Sequence, residues 1–369
     1  MLKRVLIDNF RCFSNFEFRP GAQCLIIGEN GTGKTSFLDA ISTLRELVVV
    51  GGPVEDLLTV RTATAWRRSE KQTFELDVAI PAGQFRYTLI VDRLTPTAKA
   101  RVFSERVYLD GTPVFVFNEG TLQLINDGGE EKVQYPSDWH RSGLATVQAR
   151  PDNPRLMEFK NWFGALHCIR PDPRSLRSSL ATGESSMPGY EFQWFLTWYR
   201  SMLQERPIEN EAFRASLKEV LSEFETIRFE KFGPQSKILT LDFNRGSSGR
   251  PYQLDFHELS DGQKMLILLY AVLHFLLVDG RTIIIDEPDN YVSLREIQPW
   301  LLEVERRMAD DGQLLIISHH PEMLANHAIE DIFHFRRISE GVIRAEPISL
   351  DPSSELSLYE RVARGWLGE

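Results

Sequence analysis

One octapeptide, Gly28-Glu29-Asn30-Gly31-Thr32-Gly33-Lys34-Thr35, constrains this chain more than any other feature. A glycine, four residues and then Gly-Lys-Thr is the spacing of a loop that closes backbone N–H groups around an anion. Its flanks suit that role. Gln23 to Ile27 reads as a buried strand, and Ser36 to Ile41 opens an amphipathic helix whose N-terminal dipole also favours negative charge. Asn30, Gly31, Thr32, Gly33, Lys34, Thr35 and Ser36 are therefore the candidate nucleotide contacts. Lys34 is expected to reach the β- and γ-phosphates, and the Thr35 hydroxyl to hold Mg²⁺.

Three clusters far downstream extend the pattern. Thr282 to Asp286 is a β-branched apolar strand that ends in Asp286-Glu287-Pro288. Beside a phosphate loop, Asp286 is expected to hold Mg²⁺ through its waters, and Glu287 to orient or deprotonate an attacking water. Ser260-Asp261-Gly262-Gln263 precedes an apolar helix. Ser260 and Gln263 have capping-box spacing, and the same capped helix start is also an anion site. Gln313 to Ile317 is a further buried strand, leading into Ser318-His319-His320, which places His319 near a γ-phosphate or its attacking water.

Composition narrows the class. A hydrophobic content of 42% and a charged content of 25% over 369 residues are those of an ordinary globular protein with a large core. The net charge of −10 argues against a broad nucleic-acid coat while leaving room for a local basic patch. Arg170, Arg174 and Arg177 form one such candidate, and Arg336 with Arg337 a smaller one. Cys12, Cys24 and Cys168 have no metal spacing and read as buried thiols in a reducing compartment. The N-terminus has no signal-peptide anatomy, and the longest apolar run, Met265 to Val278, is too short to span a bilayer. A cytoplasmic protein without membrane contact is expected.

The fold expected is an α/β P-loop arrangement with a mixed core sheet, an antiparallel β-lobe and a helical insertion. Residues 1–61 and 231–369 supply the nucleotide-binding core. Residues 62–149 carry short runs at Phe74–Ile80, Phe85–Asp92, Arg101–Leu109, Val114–Asn118 and Thr121–Ile125, separated by turn signals, and form the lobe. Residues 150–230 turn helical and form a lid, with Pro171 to Gly189 read as a mobile loop. No heptad pattern is sustained, which excludes a long coiled-coil arm.

In order, the phosphate loop, Leu259-Ser260-Asp261-Gly262-Gln263, the strand ending Asp286-Glu287-Pro288 and the strand ending Ser318-His319 resemble the ATP-binding-cassette ATPases. The opening Ile7-Asp8-Asn9-Phe10-Arg11-Cys12-Phe13 is similar to the branch with RecF, Rad50, SMC proteins and OLD-family ATPases. Within it, the missing coiled coil points to the compact RecF-like and OLD-like group, many of them in bacterial anti-phage systems. The resemblance implies a homodimer closing head-to-tail on two sandwiched ATP molecules, with Ser260, Asp261, Gly262 and Gln263 of one subunit facing the ATP of the other. It also implies a nucleotide contact for Arg11 and a metal-associated loop glutamine, with Gln148 the positional candidate and Gln134 the alternative.

The departures are informative. Asp261 replaces the second signature glycine, so its charge must point away from phosphate or meet a cation. The stretch after Pro288 lacks the group's usual histidine. No further acid cluster follows His319, so a nuclease or toxin activity must come from a separate chain. The expected function is ATP binding and hydrolysis that regulates such an effector, in anti-phage defence. The rival is a RecF-like repair ATPase that clamps duplex DNA; a transporter cassette would need a membrane-coupling surface that the long insertion does not suit.

Overall fold

The computed structural model describes residues 1–348 apart from 68, 94–98, 127–128, 245–248, 278–280, 309–311, 321–322, 324–330 and 339–340. Its centre is a six-stranded sheet in the order β10 (His167–Ile169), β15 (Thr282–Asp286), β16 (Gln313–Ile317), β3 (Gln23–Ile27), β17 (Asp331–Arg337) and β18 (Ile343–Pro347). All neighbours are parallel except the final pair, β17 with β18. Parallel strands buried on both faces select continuous apolar runs, which is what Thr282–Asp286 and Gln313–Ile317 supply.

The two-residue period of a strand divides those side chains between two cores. Cys24, Ile26, Ile284, Leu315 and Ile317 join one cluster, together with Phe37, Leu38, Ile41, Leu44 and Val48 of helix α1 (Lys34–Val49). Leu25, Ile27, Ile283, Ile285, Leu314 and Ile316 join the other. There they meet α5 (Phe195–Glu205), α6 (Pro207–Val220), α7 (Asp261–Ala271) and α8 (Leu294–Met308). Each such aliphatic side chain contributes about 1.5–3 kcal/mol when fully buried. α7 is buried along nearly its whole circumference, as its apolar sequence requires, and continues as a π-helical turn at Val272–Leu276. Val278, the expected end of this helix, lies outside the described residues.

An eight-stranded antiparallel sheet covers the first core. It runs β2 (Phe16–Phe18), β1 (Leu2–Asp8), β4 (Gln72–Ile80), β5 (Gly83–Asp92), β6 (Arg101–Leu109), β7 (Thr112–Asn118), β8 (Thr121–Ile125) and β9 (Glu131–Pro136). Strands β4 to β8 coincide with the five alternating runs of the sequence to within two residues. Two short helices, α2 (Val54–Leu57) and α3 (Gly143–Thr146), and the longer α4 (Pro154–Ala165) complete this side. A third sheet pairs β13 (Ser236–Phe243) with β12 (Phe224–Phe232) on one edge, and with β11 (Leu180–Thr182) and β14 (Tyr252–Asp255) on the other.

The sheets run across the divisions expected from sequence. β1 and β2, from residues 1–61, lie with β4 to β9, while β10, from residues 150–230, lies in the central sheet. The stretch Pro171 to Gly189 is not a plain loop: Pro173–Ser175 forms a 3₁₀ turn, and β11 pairs Leu180 with Ile238. Its partner strand lies far along the chain, so local composition gives no sign of the pairing. The two large sheets are joined at their base by Gln313, which is 1% exposed. Its amide donates to the carbonyls of Leu2 and Gly21, each at 2.8 Å, and its Oε1 accepts from Leu2 N–H at 2.6 Å.

Candidate active site

Adjacent parallel strands deliver their C-terminal ends to one edge, and β15, β16 and β3 do so in register: Asp286 lies level with Ile317, and Ile317 with Ile26. The phosphate loop, the acid pair and the histidine pair therefore converge, although they are far apart in sequence. The loop's shape depends on Gly33, the residue before α1, at φ 90°. A Cβ there would stand 2.8 Å from Cys12 Sγ and 2.9 Å from Phe13 Cε1. Only glycine meets both constraints without strain.

Lys34, 7% exposed, donates from Nζ to the carbonyls of Gly28 at 2.5 Å and Glu29 at 2.9 Å. Burial lowers its pKa, against the opposing charges of Asp286, Glu287 and Glu29. Thr32 Oγ1 donates to the Glu29 carbonyl at 2.8 Å, and Arg337 donates to the Gly31 carbonyl at 3.1 Å. Asn30 and Gly31 are exposed at the loop tip, whereas Ser36 in the first helical turn bonds the Cys12 side chain.

Thr35 Oγ1 donates to Asp286 Oδ2 at 3.1 Å, joining the first turn of α1 to the end of β15. Asp286 is 1% exposed, and its second oxygen, Oδ1, is buried without a hydrogen-bond partner. Burial, and next the nearby charge of Glu287, push its carboxyl up to about 6. A buried acceptor with a spare oxygen beside a hydroxyl is a donor set that fits a hard divalent cation such as Mg²⁺.

Glu287 follows at φ 54°, a left-handed conformation that is costly for a side chain of this size, and its N–H bonds the Ile317 carbonyl at 2.8 Å. That turn directs the carboxylate toward β16. Oε1 lies 3.2 Å from His319 Nδ1, and Oε2 accepts from Asn290 Nδ2 at 2.8 Å. Behind them Ser318 Oγ donates to Asp289 Oδ2 at 2.7 Å. The buried Asp289 carboxyl is raised in pKa by its burial.

Ser260 caps α7 with both capping-box bonds: Gln263 N–H to Ser260 Oγ at 3.2 Å, and Ser260 N–H to Gln263 Oε1 at 3.0 Å. Asp261 meets a cation, Arg174, at 3.4 Å, and that guanidinium lies 4.9 Å from the centre of the Tyr291 ring. Gly262 packs so closely that a Cβ would stand 2.9 Å from the Tyr291 carbonyl oxygen. The signature segment is thus fitted against the turn that follows Glu287.

The remaining sequence candidates have other partners. Arg11 pairs with Asp39 of α1 at 2.5 Å, and Asp39 also accepts from the Tyr190 hydroxyl at 2.9 Å. Gln148 is exposed between α3 and α4, and no hydrogen bond joins its side chain to Thr35 or Asp286. Gln134 lies on β9, paired with Gln123. The side chain that does approach the acid is Arg170, whose Nε is 4.0 Å from Asp286 Oδ2. In the sequence it stood out only as a surface cation, because the three-residue strand that positions it has no periodicity of its own.

A phosphate loop, acids at the end of the next strand but one and a capped signature helix on a mixed sheet define a P-loop ATPase fold of the ABC type. Comparison with known proteins agrees. Residues 4–44 match the model of an AAA domain family, and residues 180–325 that of a family described as AAA domain, putative AbiEii toxin, Type IV TA system. The chain is similar in fold to the SMC head domain from Thermotoga maritima, at 13% identity and TM-score 0.50, covering 95% of this chain and 99% of that one. It also resembles an Smc head bound to the C-winged helix domain of ScpA, at 13% identity and TM-score 0.56, covering 95% and 98%. A third likeness is an Smc head with an extended coiled coil bound to the C-terminal domain of ScpA, from Pyrococcus furiosus, at 13% identity and TM-score 0.52, covering 94% and 96%. No curated protein matches the sequence. Among the described residues no helix is long and apolar enough to cross a membrane.

Proposed function

We propose that this chain is a cytoplasmic ATPase that binds ATP with Mg²⁺, closes head-to-tail with a second copy and hydrolyses the nucleotide to control a separate effector protein in anti-phage defence. The observation that carries the reading is the bond from Thr35 to Asp286, with the spare buried oxygen of Asp286 beside it. Thr35 and Asp286 would hold Mg²⁺, which supplies charge neutralisation at the phosphates. Lys34 and the loop N–H groups bind and orient the phosphate chain.

Glu287 is the general base. Asn290 fixes its Oε2, which leaves Oε1 to accept the proton of the attacking water within reach of His319 Nδ1. Ser260 and the start of α7, held by the capping box, would form the contact for the partner's nucleotide. The defence setting draws on the description of the family matched over residues 180–325, which names a putative toxin of a Type IV TA system. The DNA-clamp alternative is less well supported, since Arg174 and Arg337 of its basic patches are bonded to Asp261 and the phosphate loop.

Mixing two inactive variants tests the shared site. Ser260→Arg blocks the contact to the partner's nucleotide, and Lys34→Ala removes the phosphate grip. Together they form one composite site with a normal loop and a normal signature, so partial ATPase activity is expected to return. A mixture as inactive as its components rules out the head-to-tail arrangement.

A further inference from the structure

Asp261 places two opposing demands on the start of α7. A carboxylate in the first turn suits the helix dipole, but it also repels any anion that the same N-terminus would attract. ATP with its Mg²⁺ still carries net negative charge, so a helix start offered to a partner's phosphates needs that carboxylate cancelled. Asp261 Oδ2 lies 3.4 Å from Arg174 Nε, and no other ion pair reaches Asp261 among the described residues.

Arg174 comes from a segment far from α7 in sequence, and its own turn sets its position. It belongs to the 3₁₀ turn Pro173–Ser175, seated by the buried Pro173 and Leu176. The Asp172 side chain accepts from the Arg174 N–H at 2.9 Å. Ser175 Oγ donates to the carbonyls of Asp172 at 2.8 Å and Glu191 at 3.1 Å. The guanidinium then lies 4.9 Å from the centre of the Tyr291 ring. Tyr291 in turn abuts the helix start, its carbonyl oxygen 2.9 Å from where a Cβ on Gly262 would stand. A carboxylate and an aromatic ring thus hold the cation from two sides.

Side-chain exposures of 67% for Arg174 and 42% for Asp261 make the pair worth little to the free subunit, because water screens it. Closure on a partner changes that balance: water is excluded, and charges at the start of α7 interact in a lower dielectric. An uncancelled Asp261 would oppose the phosphates there, whereas the pair presents no net charge. We propose that Arg174 is a positioning residue of the shared ATP site, cancelling Asp261 so that the start of α7 receives the partner's phosphates. This role rests on the head-to-tail reading above. The guanidinium acts through Asp261 and not on the nucleotide, so its contribution disappears once residue 261 is uncharged.

Sedimentation velocity of the full chain with Mg²⁺ and the slowly hydrolysed analogue adenylyl imidodiphosphate reads dimerisation directly. Arg174→Ala should weaken the dimer by about tenfold or more. Arg174→Lys keeps the cation and should hold the loss below about threefold. In Asp261→Asn protein, Arg174→Ala should cost less than about threefold, because no charge remains to cancel. A purely structural role for the arginine predicts equal losses in both backgrounds or a marked fall in thermal stability, and either result overturns the proposal. So does a lysine variant as weak as the alanine, or an alanine variant that dimerises normally. Absence of analogue-driven dimerisation in the Arg174-intact protein removes the head-to-tail reading and the proposal with it, an outcome distinct from all of these.

Discussion

Arg170 Nε stands 4.0 Å from Asp286 Oδ2, where β10 and β15 end side by side. The guanidinium favours the ionised carboxylate and opposes the burial that otherwise raises its pKa. Arg170→Ala should therefore move the acid limb of the pH–rate profile for ATP hydrolysis to higher pH, whereas Arg170→Lys should largely restore it. An acid limb that stays in place in the alanine variant would show that Arg170 does not act through Asp286.

Asp286 itself offers a stability test. Its folded pKa is raised from 3.8 to about 6, so the protonated form is the one the fold favours. Stability from this group is fully present below 3.8 and is lost as pH rises through about 6, at a cost of about 3 kcal/mol once ionised. Asp286→Asn should thus stabilise the nucleotide-free protein at pH 8 and give little advantage at pH 4, while abolishing Mg²⁺-dependent turnover. Urea unfolding at the two pH values checks it. A uniform destabilisation by the asparagine at both would refute the assignment.

Glu287→Gln should preserve ATP binding but slow hydrolysis by about 10²–10⁴-fold, because the amide accepts no proton from water. Asn290 still holds the side chain, which keeps the geometry close to native. Single-turnover measurements with ATP in hand distinguish slow chemistry from slow release. Undiminished turnover would transfer the base to His319.

Two glycines of the phosphate loop separate conformational strain from crowding. Gly31 has φ 80° with nothing within 4 Å of a built Cβ, whereas Gly33 has φ 90° with Cys12 Sγ at 2.8 Å. Gly31→Ala should cost about 1–2 kcal/mol from the left-handed backbone alone. Gly33→Ala should cost more and also weaken ATP binding, since Phe13 and Cys12 must shift. Equal losses in thermal unfolding would show that the contact with Cys12 is easily relieved.

What the sequence made legible follows from what is local. The phosphate loop, the acids after Thr282–Asp286 and the histidines after Gln313–Ile317 each sit at the end of an apolar run long enough to declare itself a strand. Strands β4 to β8 alternate cleanly and were equally readable. The three-residue strand β10 has no such signal: His167, Cys168 and Ile169 become a strand only because Ile283, Ile284 and Ile285 lie alongside. Arg170 therefore reads in the sequence as one of a surface patch, and its approach to Asp286 exists only in three dimensions. β11 was hidden in the same way, within a stretch whose serines, prolines and glycines spell a loop.

The clamp at Gln313 carries a mechanical consequence. One buried side chain, on the first residue of β16, grips the start of β1 and the Gly21 carbonyl together. β1 belongs to the broad antiparallel sheet, and β16 is the rod whose other end bears Ser318 and His319. The outer sheet is consequently a handle rather than a flap. A load applied to its surface would reach the root of that rod through these three hydrogen bonds.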